Sequence, residues 1–237
     1  DNIDTFANDH SITAVVLRID SPGGGVAASQ EIYEAVKKLK KKKKVVVSMG
    51  SVAASGGLLI ACAADKIVAN PGTITGSISA IMQFANVEEL FKKIGIKASV
   101  VKSGQYKDIG SPLREMTPEE KHIIQELVDD IFNQFVDVIV ENRKLTREQV
   151  IAIADGRVFT GRKAKELGLV DHLGDLSAAA KLASELSGKD GKYDLVYPQK
   201  RRPSFLDYMF ESAANQFIRA WLQNVDKWSG ISYIHKP

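Results

Sequence analysis

The stretch Val45-Val46-Val47-Ser48-Met49-Gly50-Ser51-Val52-Ala53-Ala54-Ser55-Gly56-Gly57 runs straight into Leu58-Leu59-Ile60-Ala61-Cys62-Ala63-Ala64 and constrains this chain more than any other segment. Its β-branched start reads as a buried strand, the small polar residues after it as a tight turn, and the apolar alanine-rich run as a packed helix beginning close to Ser55. A hydroxyl is thereby set at a helix N-terminus, where unpaired backbone N–H groups and the positive end of the helix dipole favour negative charge. A tetrahedral acyl intermediate presents that charge to its enzyme. Ser55 is therefore a candidate nucleophile, although capping is the commoner use of a serine at such a position. Only a partner elsewhere in the chain decides between the two.

Upstream, residues 14–20 read as a strand that enters Ser21-Pro22-Gly23-Gly24-Gly25. The proline fixes a turn, and the glycines let a ligand approach bare N–H groups. The loop lacks the Walker lysine and the spacing of a dinucleotide fingerprint. Residues 29–40 carry Ile32, Ala35, Val36 and Leu39 at helical spacing. The order strand, glycine loop, helix, strand, serine turn, helix predicts an α/β fold of parallel strands joined by crossover helices, whose sites collect beyond the strand ends. Gly24 and Ser55 are expected to face one cleft.

Further along, residues 65–69 read as a strand, 71–79 as a polar loop, 87–94 as a helix and 98–102 as a strand. A loop follows that holds an isolated lysine, Lys107. Thr117-Pro118-Glu119-Glu120 combines an N-cap threonine, a proline at the first helical position and a capping-box glutamate, so it opens a long helix striped by Ile124, Leu127, Ile131, Phe135 and Val138. Thr146 repeats the capping pattern, residues 156–161 lead into a helix ended by Gly168, residues 169–171 form a brief strand, and Asp175 opens another helix. Residues 193–198 read as a last strand. Beyond Lys200-Arg201-Arg202-Pro203, the residues Phe205, Tyr208, Met209, Ala213, Phe217 and Trp221 stripe a helix. The expected organisation is an α/β domain over 1–198 and a helical segment over 199–237.

At 237 residues and 44% hydrophobic content the chain can bury a sizeable core. No stretch reaches the roughly 20 apolar residues that cross a bilayer. The single cysteine, Cys62, excludes an internal disulfide and reads as a small buried hydrophobe. The net charge of +3 owes much to the lysine run between Lys37 and Lys44. That run lacks the aromatic or glycine-rich context of a nucleic-acid patch and reads as a solvated helix end. No metal-ligand spacing occurs, and no cofactor is called for.

A serine nucleophile needs a base. Among four histidines, only His172 has carboxylates close by, in Asp171 and Asp175, so a triad is one option. A lysine is the other, provided that burial and neighbouring hydroxyls keep its amine neutral, since a free lysine titrates near ~10.4. Lys107, shortly after a predicted strand end and away from the lysine run, is the candidate. Asp20 reads as a strand-end turn former rather than a catalytic carboxylate.

Four strings, Arg18-Ile19-Asp20-Ser21-Pro22-Gly23-Gly24, Gly50-Ser51-Val52-Ala53-Ala54-Ser55-Gly56-Gly57, Thr75-Gly76-Ser77-Ile78 and Ser103-Gly104-Gln105-Tyr106-Lys107, together resemble the signal peptide peptidase A family in its short bacterial or archaeal form. The resemblance runs in order over about residues 3–174. It implies Ser55 as nucleophile, Lys107 as general base, Ser77 as the hydroxyl that holds the lysine, and the N–H groups of Gly24 and Gly56 as the oxyanion hole. It also implies a spiral fold shared with crotonases and the Clp protease, a membrane anchor ahead of Asp1, a catalytic part outside the cytoplasm, and remnant signal peptides as substrates. In longer relatives the lysine and the serine come from different halves of a doubled chain. The resemblance therefore implies a homo-oligomeric ring in which Lys107 of one protomer reaches Ser55 of the next. Ser79 departs from the glycine common after the Thr-Gly-Ser-Ile string. Two other classes compete: an acyl-CoA hydratase or isomerase of the crotonase type, in which a serine/lysine pair has no role, and an inactive oligomeric membrane scaffold, for which keeping both residues would serve nothing.

Overall fold

The computed structural model describes residues 2–190 and 193–198. In chain order its elements are α1 (Asn2–Asn8), β1 (Ala14–Ser21), α2 (Val26–Lys40), β2 (Lys44–Ala54), α3 (Gly56–Cys62), β3 (Lys66–Ala69), β4 (Ile74–Gly76), α4 (Glu88–Lys93), α5 (Pro118–Asn142), α6 (Arg147–Ile151), β5 (Val158–Thr160), α7 (Gly161–Glu166), β6 (His172–Leu173) and α8 (Leu176–Leu186). The chain divides into two compact units, 1–194 and 195–237, and all of these elements lie in the first. The helix expected beyond residue 199 lies outside the described residues.

β2 is the hub of the sheet. It pairs in parallel with β1 along one side, and along the other with β3 through Val46–Met49 and with β4 through Val52–Ala54. β6 extends the sheet beyond β3 in parallel, and β5 lies antiparallel beyond β4. Strand periodicity sends alternate side chains of β2 to opposite faces. Val45, Val47 and Met49 join Tyr33, Val36 and Leu39 of α2, Leu58 of α3 and Phe135, Val136 and Ile139 of α5 in the main core. Val46 meets Val68 of β3 and Ala179 and Ala183 of α8 on the other face. Burying each such aliphatic side chain is worth about 1.5–3 kcal/mol, so a central strand covered on both faces reads as an apolar run rather than an alternation. The α/β class with parallel strands and crossover helices is the one observed.

Several local expectations are corrected. The small residues from Ser48 to Ala54 continue β2 instead of turning, because the strands on both sides supply ladder partners for their backbone. Residues 74–76 form a strand inside the stretch read as a loop, and residues 158–160, read only as leading into a helix, form a strand ahead of α7. Residues 98–102 are not a strand: Val101 is fully exposed, and no neighbouring strand pairs with it. Residues 193–198 likewise form no strand. The strand near residue 170 lies at His172–Leu173. In α2 the buried face runs through Ser29, Tyr33, Val36 and Leu39, leaving Ile32 exposed, and in α5 Leu127 is exposed.

Candidate active site

Ser55 sits between β2 and α3 with φ +51° and ψ −121°, a conformation that a residue with a β-carbon rarely adopts. Holding it costs on the order of 1–3 kcal/mol, met by the surrounding packing. Ser55 N–H donates to the Gly76 carbonyl at 2.8 Å, and Gly23 packs so tightly that a β-carbon on it would lie 2.8 Å from Cβ of Ser55 and 3.1 Å from the Gly56 nitrogen. The Ser55 hydroxyl makes no capping hydrogen bond to α3. The capping role is therefore absent, and the hydroxyl is left beside N–H groups of the first helical turn that have no intrahelical acceptor.

The glycine loop after β1 supplies the second wall. Gly23 has φ +118°, and the Gly24 nitrogen lies 3.5 Å from where a β-carbon on Gly56 would stand. A β-carbon on Gly56 would also fall 2.3 Å from Oγ of Ser29, closer than the two can stand without a shift. Asp20 is structural: its Oδ1 accepts from Val52 N–H at 3.0 Å, and its carboxyl carbon lies 2.5 Å from where a β-carbon on Gly50 would stand, which leaves room only for hydrogen. That bond spans the register shift where β1 bulges between Ile19 and Ser21 and swings into the glycine loop.

Ser77 follows β4 as Ser55 follows β2. Thr75 Oγ1 donates to the Ala53 carbonyl at 2.6 Å and Thr73 Oγ1 to the Gly50 carbonyl at 2.7 Å, so hydroxyls as well as the ladder tie β4 to β2. Ser77 N–H donates to the Arg157 carbonyl at 2.8 Å. Ser55, Ser77, Gly24 and Gly56 are thus gathered where β1, β2 and β4 end. Ser79 is exposed, near Gly156, and helps line a cavity of about 910 Å³ with Ile81, Met82, Phe84 and residues of α5.

Lys107 is not part of this gathering within one chain. It is exposed in the loop between α4 and α5, its N–H donates to the Gly104 carbonyl at 3.2 Å, and its ammonium has no hydrogen-bond or ion-pair partner among the described residues. The segment leading to it carries Ile81, Phe84, Leu90, Ile94, Ile96, Val100 and Val101 in exposed positions.

Among the described residues no carboxylate bonds His172, the histidine alternative. Asp171 is occupied: it accepts from Ile67 N–H at 2.8 Å, from Arg143 Nη1 at 3.0 Å and from Lys66 Nζ at 3.5 Å. Burial alone would raise its carboxyl, but Arg143, the Ile67 N–H and Lys66 together outweigh this and hold it below the ordinary value. Asp175 caps α8 through Ala178 N–H at 2.8 Å, and His172 is exposed in β6. Asp171 has both oxygens engaged, and Asp175 spends Oδ1 on the cap. Cys62 is buried, which pushes its thiol up to about 12 and leaves it inert. The lysine run is partly tied down: Lys37 bonds Glu141 at 3.3 Å, Lys42 bonds Asn8 at 2.8 Å, and Lys43 donates to the Asp9 and Ile12 carbonyls. Among the described residues no group of His, Cys, Asp and Glu could hold a metal ion.

Fold and site together define an α/β protein with a serine on a strained strand-to-helix turn, flanked by a glycine loop. The pattern of peptidase family S49 matches residues 37–190, and the chain belongs to that family. Membership of a peptidase family goes against the acyl-CoA hydratase alternative. Slr0021 of Synechocystis, whose name marks it as an inferred protease, is 51% identical over 177 residues, covering 75% of this chain and 64% of that protein. A protein of Enterococcus faecium named as an inferred signal peptide peptidase, SppA, is 32% identical over 94% of this chain and 62% of its own length. Protease 4 of Salmonella typhi is 39% identical over 90% of this chain and 34% of its own length. The chain thus spans less than two thirds of each of these relatives. A ClpP1 mutant from Listeria monocytogenes overlays with a TM-score of 0.49 at 19% identity, covering 73% of this chain and 84% of the other.

Proposed function

We propose that this protein is a membrane-associated serine endopeptidase that cleaves unfolded apolar peptides, remnant signal peptides among them. The observation that carries the reading is Ser55 itself: a hydroxyl freed from capping, on a strained turn, against the Gly23–Gly24 loop. In the proposed reaction Ser55 Oγ attacks the scissile carbonyl while the neutral amine of Lys107 takes its proton. The developing oxyanion is met by the N–H groups of Gly24 and Gly56, and Ser77 holds the lysine. Lys107 returns the proton to the leaving amine, and a water activated by the same lysine hydrolyses the acyl-enzyme. Family membership and the naming of the Enterococcus relative for signal peptides support the substrate class.

The site is proposed to form between protomers of a closed homo-oligomeric ring. Lys107 stands exposed and unpaired on a segment rich in exposed apolar residues, which is what a reach toward a neighbouring copy requires. No helix among the described residues is long and apolar enough to cross a membrane. Membrane attachment, with the catalytic part on the extracytoplasmic side, rests on the family resemblance. The test is labelling with a serine-reactive fluorophosphonate together with hydrolysis of an apolar peptide. Both should be lost in Ser55→Ala, and retained hydrolysis in that variant would sink the proposal.

A further inference from the structure

The loop bearing Lys107 is fastened to the first turn of α5 on both sides of that residue. Before it, Tyr106 OH donates to the Glu119 carboxylate. After it, Asp108 receives a two-pronged pair from Arg114, Nε to Oδ2 at 2.9 Å and Nη2 to Oδ1 at 2.9 Å, with Lys102 Nζ on Oδ1 as well. Arg114 turns its other edge to Glu120, bonding Oε2 through Nη1 at 2.8 Å and Oε1 through Nη2. Glu120 is almost wholly buried and is already the capping-box residue of α5, accepting from Thr117 N–H at 2.9 Å while its own N–H donates to Thr117 Oγ1 at 3.2 Å. Three turns make the loop compact: Lys107 N–H to the Gly104 carbonyl, Ile109 N–H to Tyr106 and Ser111 N–H to Asp108. Of the three consecutive side chains Tyr106, Lys107 and Asp108, the outer two are tied to α5 and the central one is free.

We infer that Arg114 is a positioning residue for catalysis: its guanidinium, bridging Asp108 to Glu120, holds the Lys107 loop at one distance from the core-packed helix α5. This rests on Lys107 being the base, as proposed above. A planar five-donor fork joining two carboxylates fixes orientation as well as distance, which a lysine at 114 would not do. α5 in turn is held by Phe135, Val136 and Ile139 in the main core, so the lysine's reach is set by the fold rather than by a flexible loop. A misplacement of about 1 Å in a catalytic group costs on the order of a hundredfold in rate, which is the size of effect at stake.

The experiment compares Asp108→Asn, Arg114→Ala and Arg114→Lys with wild type in peptide hydrolysis, alongside Lys107→Ala. Asp108→Asn is the variant that keeps the Arg114–Glu120 pair and the capping box, so it stays folded even where Arg114→Ala does not. A positioning role predicts that kcat falls about tenfold in Asp108→Asn and roughly a hundredfold in Arg114→Ala, with KM within about twofold, and that Arg114→Lys does not recover. Millimolar ethylguanidinium should restore part of kcat to Arg114→Ala and none to Lys107→Ala. A rise in KM with kcat unchanged would make Arg114 a substrate-binding group, and wild-type kinetics in Asp108→Asn and Arg114→Ala would remove the role; either overturns the inference while Lys107→Ala stays inactive. If Lys107→Ala is itself fully active, the base assignment falls first, and this inference with it.

Discussion

Ser55 and Ser77 leave two paired strands at the same step: Ala54 and Gly76 are register partners, and the serine after each has φ near +50°. The Ser55 N–H closes the arrangement by donating to the Gly76 carbonyl at 2.8 Å. Two serines thereby follow register partners on backbone that neither would adopt alone, with Thr73 and Thr75 donating to carbonyls of β2 just before them. Strain of this kind persists only where neighbouring structure over-determines it, and it collects at functional sites.

The first prediction concerns the two proposed catalytic groups. Ser55→Ala and Lys107→Ala should each lower peptide hydrolysis by roughly 10⁴-fold or more, because a nucleophile and its base act as a unit. Circular dichroism and thermal midpoint should match wild type, since neither side chain lies in the core. His172→Ala should leave the pH profile of kcat unchanged; loss of a limb near ~6.5 in that variant would transfer the role of base to His172.

Mixed assembly tests the shared site. Co-refolding inactive Ser55→Ala with inactive Lys107→Ala creates interfaces at which an intact Ser55 meets an intact Lys107. Partial recovery of activity, rising with mixing time and absent from either variant alone, is the expected outcome. A mixture that stays dead, although exchange of subunits is verified by mass, would mean that each site lies within one chain.

Gly23→Ala should be costly out of proportion to its size. The new methyl would press on Cβ of Ser55 at 2.8 Å while the backbone is forced to hold φ +118°. Displacing Ser55 from the oxyanion-hole donors predicts a fall in kcat of about a hundredfold with little change in KM. Gly72→Ala, in the turn between β3 and β4, meets nothing within 4 Å and should behave as wild type. Equal rates for the two variants would remove the packing argument for the glycine loop.

Acid should loosen the Lys107 loop before the core. Arg114, then the Thr117 N–H, holds the Glu120 carboxyl at about 2 against an ordinary 4.5, and Arg114, then Lys102, holds Asp108 below the usual carboxylate range. Because both folded values are depressed, their stabilising contribution is complete above the ordinary carboxylate values and is lost as pH falls toward about 2. Hydrogen exchange at the amides of Lys107, Ile109 and Ser111, corrected for intrinsic rates, should therefore show flat protection from neutral pH to about 5 and declining protection below 4.5, while β2 amides stay protected. Glu120→Gln should lose that loop protection even at neutral pH. Protection in Glu120→Gln indistinguishable from wild type would show that the ion pairs do not hold the loop.

Some of this was legible in one dimension. The apolar run opening β2, the capping boxes at Thr117 and Thr146 and the alternation of strand and helix depend on neighbours within a few residues, and all stand in the structure where local chemistry puts them. The approach of the Gly23–Gly24 loop to Ser55 was expected from the fold class instead, since parallel strands deliver their ends to one edge. What local signals misjudged is equally specific. The stretch from Ser48 to Ala54 has turn-forming residues yet remains strand, because ladder partners from β1 and β4 override weak propensity. Residues 98–102 have strand-forming residues yet remain unpaired, because a strand needs a partner and none of the described strands lies against them.

The sequence by itself determined the parallel α/β class, the helix boundaries set by caps, and which serine stands at a strand-to-helix junction, since each follows from periodicity or from a side chain meeting backbone a few residues away. Tertiary structure alone decided that Ser55 does not cap, that Asp171 is spent on Arg143, and that Arg114 joins Asp108 to the buried Glu120. No periodicity marks an arginine six residues from each of its carboxylates, or an aspartate 28 residues from its guanidinium. The Arg143–Asp171 contact forms only once core packing has brought distant backbone together, and the Arg114 contacts only once the loop has folded onto the first turn of α5.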